Sequence, residues 1–171
     1  AAGRTRQAGD VEPADKLLKR ILAERKKKWE ETNPKKKYKE PSAPDTSNLP
    51  ELPKGWVWAT TDQLLYFITS GSRGWASYYA HSGSIFLRVG NLDHNSISLD
   101  LTEIQRVQPP HGVEGLRTRV IAGDILISIT ADVGMVGIIP DNFEEAYINQ
   151  HISLARLTHF LNNKYLAWFL A

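Results

Sequence analysis

Histidine is the side chain best suited to moving protons or holding metal near neutral pH, and this chain has five: His81, His94, His111, His151 and His159. None is spaced as a helix-borne zinc site requires, two His four apart with a Glu between. The carboxylates Asp124, Asp132 and Asp141 are irregularly placed, with no catalytic lysine nearby, and do not read as a nuclease centre. There is no cysteine, which removes disulfides and thiolate–zinc sites. The chain has no G-x-x-x-x-G-K-[ST] phosphate loop, no G-x-G-x-x-G turn and no G-x-S-x-G nucleophile. The expectation is a chain with no catalytic residue, no metal and no cofactor. It reads as a binder.

The chemistry that remains is contact chemistry. Thr69-Ser70-Gly71-Ser72-Arg73-Gly74-Trp75 joins small residues, which let a backbone approach closely, to an arginine able to grip a phosphate or a guanine edge. Thr130-Ala131-Asp132-Val133-Gly134 follows a strongly apolar run. In Tyr147-Ile148-Asn149-Gln150-His151, two neighbouring amides offer donor and acceptor side by side, the pattern that adenine's major-groove edge accepts. Arg117 and Arg119 share a face if their loop is extended, and Arg88 and Asn91 sit in the segment SIFLRVGNL. The candidate contacts are Ser70, Ser72, Arg73, Trp75, Arg88, Asn91, Arg117, Arg119, Thr130, Asp132, Asn149 and Gln150. Each also serves as ordinary turn or capping chemistry, and Trp75, Tyr78 and Tyr79 suit packing better than base stacking. Residues 108–111, QPPH, resemble the Asn-Pro-Pro-aromatic motif of amino-methyltransferases. Gln108 and His111 depart from it and no cofactor loop precedes it, so methyl transfer is not expected here.

These segments need a scaffold. Spacing predicts a helix over 13–31, with Pro13 at its first position and Leu18, Ile21, Leu22, Arg25 and Trp29 on one face. Lys16, Lys19, Arg20, Lys26 and Lys27 lie opposite. No second long helix exists to cover that stripe, so a partner helix is expected to pack on it in preference to a fold back onto its own domain. Residues 32–55 contain five prolines and Lys35-Lys36-Lys37 and read as an extended linker. Trp56 and Trp58 alternate in an extended segment, and Thr61-Asp62 offers a cap for a helix over Gln63–Ile68. Short strands are expected at 84–92, 97–101, 104–107, 125–130, 135–139 and 152–157, with Gly123-Asp124 as a turn. A last helix is expected from Asn162-Asn163, with Tyr165, Leu166 and Phe169 on one side. The fold class is α+β: a mostly β body with short helices, preceded by a long amphipathic helix and a Pro-rich linker.

Composition is that of a folded chain, with 42% hydrophobic and 23% charged residues. The net charge of +2 is uneven: residues 1–55 carry 14 Lys/Arg against 9 Asp/Glu, and residues 56–171 carry 7 against 10. A body with that acidic balance binds nucleic acid only through a local cluster of side chains. No apolar run approaches the roughly 18 residues of a membrane span, no signal-type stretch opens the chain, and cytoplasm is the default location. The abrupt opening AAGRTRQAG reads as a chain cut from something longer.

Several ordered segments carry a family resemblance: ITSGSRGWASYY, SIFLRVGNL, GDILISITADVGMVGIIP and AYINQHISLARL. Together they look like the target-recognition domain of type I restriction–modification specificity subunits. LPKGWVWATTDQLL resembles the usual lead-in to such a domain, and EPADKLLKRILAERKKKWEE resembles the distal end of the conserved helix between two of them. The resemblance implies the second recognition domain of such a subunit, reading one half of a split site in double-stranded DNA. It implies modification subunits that methylate and restriction subunits that translocate and cleave. Its implied layout is spacer helix over 1–31, linker over 32–55, recognition domain over 56–160 and the start of a truncated helix over 161–171. The competing reading is a non-catalytic protein-interaction or carbohydrate-binding β-domain, favoured by the acidic balance and the aromatic residues.

Overall fold

A computed structural model describes residues 12–109 and 111–171, with Val113 and Glu114 described by backbone alone. The chain forms two compact units with the boundary after Tyr66, eleven residues later than the linker end expected at 55.

In the first unit, α1 spans Ala14–Thr32. Pro13 is extended and precedes the helix instead of opening it, and its carbonyl accepts from Lys16 and Leu17. The stripe expected to await a partner helix is covered in part by this chain itself. Ile21 is 2% exposed. Arg25 donates through Nε to the carbonyls of Asp62 and Leu65, each at 2.9 Å, and through Nη2 to Asp62 Oδ1 at 2.7 Å. Trp29 meets Tyr38 edge-on at 5.4 Å, while half-buried Leu18 lines a groove with Trp56 and Trp58. The reason is the proline-rich segment: it folds back along the helix, as the bond from Ala14 N–H to Gly55 O fixes. Of the five stripe residues only Ile21 is fully buried, and Leu18, Leu22, Arg25 and Trp29 stay partly exposed. After it, α2 is one turn, Thr61–Leu64, capped by Thr60 in a reciprocal box with Gln63.

The expected helix through Ile68 stops there, because Leu65–Ser70 is a strand, β1. The remaining strands are β2 Tyr79–Ala80, β3 Ser84–Leu87, β4 Gln105–Val107, β5 Ile125–Ser128, β6 Val136–Ile138, β7 Ala146–Ile148 and β8 Ile152–Leu157. They form two sheets, ordered β1-β8-β5-β6 and β2-β4-β3-β7. β3 and β7 run parallel, whereas β5 pairs antiparallel with both β6 and β8. The expected strand at 97–101 is a loop tied to β6 by the bond from Ile138 N–H to Ile97 O. The strand expected over 84–92 ends at Leu87 and passes into a 3₁₀ turn, Val89–Asn91. The unit also has a 3₁₀ helix, Trp75–Tyr78, and two short helices, α3 Val113–Thr118 and α4 Asn163–Leu170, the latter capped by Asn162. On α4, Leu166 is buried and Tyr165 and Phe169 are exposed, so these three do not share a side.

Alternation along β3 and β7 divides the interior. Ile85, Leu87, Ala146 and Ile148 join the main core with Leu126, Ile152 and Leu154. The intervening Phe86 and Tyr147 face the other way and enclose Trp75, which stacks on Phe86 at 5.2 Å. No helix among the described residues is long and apolar enough to cross a membrane.

Candidate nucleic-acid interface

Pairing register brings four loops to one end of the two sheets. Leu87 is opposite Ile148 in the parallel pair, so the chain leaves β3 and β7 on the same side, and Asn149 N–H bonds Leu87 O. Ser128 of β5 is opposite Ile152 of β8, and Ile129 N–H bonds His151 O. Gly71, just after β1, donates to Ile152 O, and Ser72 bridges Asn149. Segments 70–74, 88–91, 129–134 and 149–151 therefore form one rim. A glycine is obligatory at 71: a Cβ there would lie 2.1 Å from Asn149 O and 2.3 Å from Ile148 O.

The rim collects most of the residues that the sequence singled out, and it assigns them different tasks. Arg117, on α3 and not in an extended loop, donates to Thr69 Oγ1, Ser70 O and Ser72 Oγ. It braces the first loop from beneath. Arg73 stands exposed at that loop's tip, and no hydrogen bond or ion pair is found for it among the described residues. Thr130 bonds His151 Nδ1, Gln150 Nε2 lies 2.9 Å from His151 Nε2, and exposed Asp132 meets His94 Nε2 at 2.9 Å. The two histidines thus act as links between loops, a task that their isolated positions in sequence did not signal.

Three candidates need correction. Trp75 is 3% exposed and enclosed by aromatic rings, so it anchors the first loop and offers no face for stacking. Asn91 is 4% exposed, and its amide is consumed inside the chain, accepting from Arg88 N–H and donating to Asp100 O and Glu103 O. Arg119 is not brought to the rim. It sits beside β7, with Nε 3.9 Å from Glu145 Oε1. Glu145 also accepts from the Tyr147 hydroxyl, whose pKa is pushed up to about 12, first by burial and then by that bond. Sequence reasoning passed over Glu103, which with Arg88, Ala131, Asn149 and His151 lines a cavity of about 330 Å³ in the rim.

Elsewhere charge is locked away. Asp124, one of the carboxylates weighed for catalysis, is buried and gripped in a fork by Arg156 Nε and Nη2, both at 2.6 Å. Among the described residues no three His, Asp or Glu side chains gather as a metal site would need.

No family model matches the chain, and no curated protein does. Solved structures do. The HsdS subunit from Thermoanaerobacter tengcongensis is similar over 92% of this chain and 35% of its own, with a TM-score of 0.55 and 18% identity. The fold is that of about a third of an HsdS subunit. A chain from a structure of the type I R-M system, concerned with complex assembly and conformational transition, covers the same shares with a TM-score of 0.57 and 17% identity. This chain thus spans about a third of the length of these two chains.

Proposed function

We propose that this chain reads duplex DNA as a recognition domain of a type I restriction–modification specificity subunit, taking one half of a bipartite site. On this reading the bond-making belongs to modification and restriction subunits, and the chain contributes sequence choice. The observation that carries the proposal is the rim: four loops converge at one end of an HsdS-like fold and present Arg73, Arg88, Ser70, Ser72, Thr130, Asp132, Asn149 and Gln150. Small and uncharged polar groups on a rigid β frame suit the edges of base pairs, and a few arginines supply phosphate contacts.

Given the acidic balance of residues 56–171, attraction of DNA to this part of the chain has to come from a local cluster such as the rim. Salt dependence is therefore a sharp test. Log K should fall linearly as log salt rises, with a slope that counts the phosphates neutralised. Fluorescence titration of the chain against short duplexes at two salt concentrations measures it, and a salt-independent or absent interaction overturns the proposal.

A further inference from the structure

Within the rim, the cavity bounded by Arg88, Gly90, Glu103, Ala131, Asn149 and His151 has a definite donor and acceptor inventory. Arg88 Nε is buried and has no hydrogen-bond partner among the described residues. Asn149 is 7% exposed, and its Oδ1 already accepts from His151 N–H at 3.1 Å. Its Nδ2 has no partner among the described residues. The His151 ring is not available, since Thr130 and Gln150 occupy its two nitrogens. Arg88, with its one buried unmatched donor, Asn149, with its open amide, and the carboxylate residue Glu103 therefore line the same space. A buried donor without an acceptor costs free energy, and an acceptor brought by a ligand removes that cost.

We propose that this cavity reads a single G·C pair through its major-groove edge, with Arg88 and Asn149 donating to guanine and Glu103 accepting from cytosine. The inference rests on the DNA-reading function proposed above. In the major groove guanine presents two adjacent acceptors, N7 and O6, and its paired cytosine presents the N4 amine beside them. That is the complement of two donors and a carboxylate. A phosphodiester fits less well, because it offers acceptors only and would face the charge of Glu103. An A·T pair places its amine between two acceptors, so a pair of neighbouring donors cannot both be satisfied without a clash of like groups.

The test is selection of the full chain on a pool of randomised short duplexes, followed by sequencing, for the unchanged protein and for Arg88→Lys, Arg88→Ala and Glu103→Gln. The unchanged protein should enrich G·C at one position. Arg88→Lys, which keeps the charge and loses the directed guanidinium N–H groups, should lower that enrichment roughly tenfold and leave the salt slope as it was. Arg88→Ala should abolish it, and Glu103→Gln should weaken it at the same position only. Enrichment that survives both Arg88 variants overturns the assignment. So does a salt slope that drops by about one with base preference intact, the mark of a phosphate contact. If the unchanged protein enriches no base at any position, the DNA-reading function falls with it. Preferences confined to other positions sink the cavity assignment alone.

Discussion

Arg156 and Arg88 belong to the same compact unit and live by opposite rules. Arg156 closes a fork on the buried carboxylate of Asp124 and also reaches Arg119 O, so its donors are spent inside the chain. Arg88 keeps a buried Nε without a partner, at the edge of an open cavity. Removing one partner of a matched buried pair is costly, whereas a donor already unmatched gains when a ligand brings an acceptor to it. Asp124 also accepts from Ile121 N–H at 2.8 Å, so that corner fixes the turn into β5. Nothing comparable satisfies the cavity.

The largest effect expected from this contrast is at the closed corner. Asp124→Asn leaves the Arg156 charge without its carboxylate and should cost about 3–5 kcal/mol, read as a lower denaturant midpoint in chemical unfolding. DNA preference of the molecules that remain folded should not change. A stability loss well below 1 kcal/mol would mean that the fork is not what closes this corner. Next comes Gly71→Ala, where the added methyl meets two backbone carbonyls that cannot step aside. Overpacking of that kind should cost about 1–3 kcal/mol, and, because Asn149 is the residue displaced, DNA binding should fall with it. Normal DNA binding in a destabilised Gly71→Ala protein would separate loop 70–74 from the rim.

Periodicity made β8 legible: Ile152, Leu154 and Leu157 are buried, and the boundaries predicted for it are the ones observed. It failed at β1, where TDQLLYFIT offers a good cap followed by apolar residues that suit helix and strand equally. Pairing with β8 decides the matter, and that partner is over eighty residues away. The rim was half legible. Asn149, Arg73 and Thr130 stand out because polar residues directly follow apolar strands. Arg117 was recognised as a cation, but its inward bracing of Thr69 and Ser72 depends on a helix that the sequence did not announce. Glu103 gave no signal, since only the loop between β3 and β4 carries it to Arg88. Asn91 misled because a loop residue with a rich contact repertoire satisfies itself inside the chain whenever a partner lies within reach, whereas Trp75 took the packing role that suited it better.

A third effect, on the order of 1–3 kcal/mol, is tied to pH. Tyr147 titrates near 12 in the folded protein against 10.0 ordinarily, so folding favours its neutral phenol. That contribution is complete below pH 10.0 and is lost as pH rises towards about 12. Stability followed by denaturant titration should fall across this window, and Tyr147→Phe should flatten the fall. An unchanged slope in Tyr147→Phe would place the alkaline loss elsewhere.

The smallest effect on stability belongs to Arg73, and it sharpens the contrast most. An exposed side chain with no described partner should be removable at a cost within about 0.5 kcal/mol. Its charge nonetheless stands at the tip of a loop that is anchored by Trp75 and braced by Arg117. A charge placed so firmly without an internal task is expected to meet phosphate, so Arg73→Ala should reduce the salt slope of DNA binding by about one and weaken all sequences alike. Asp124→Asn should do the reverse, lowering stability and sparing the slope. Should Arg73→Ala destabilise the fold as much as Asp124→Asn, or leave the salt slope untouched, then exposure and isolation do not mark the residues this domain reserves for its ligand.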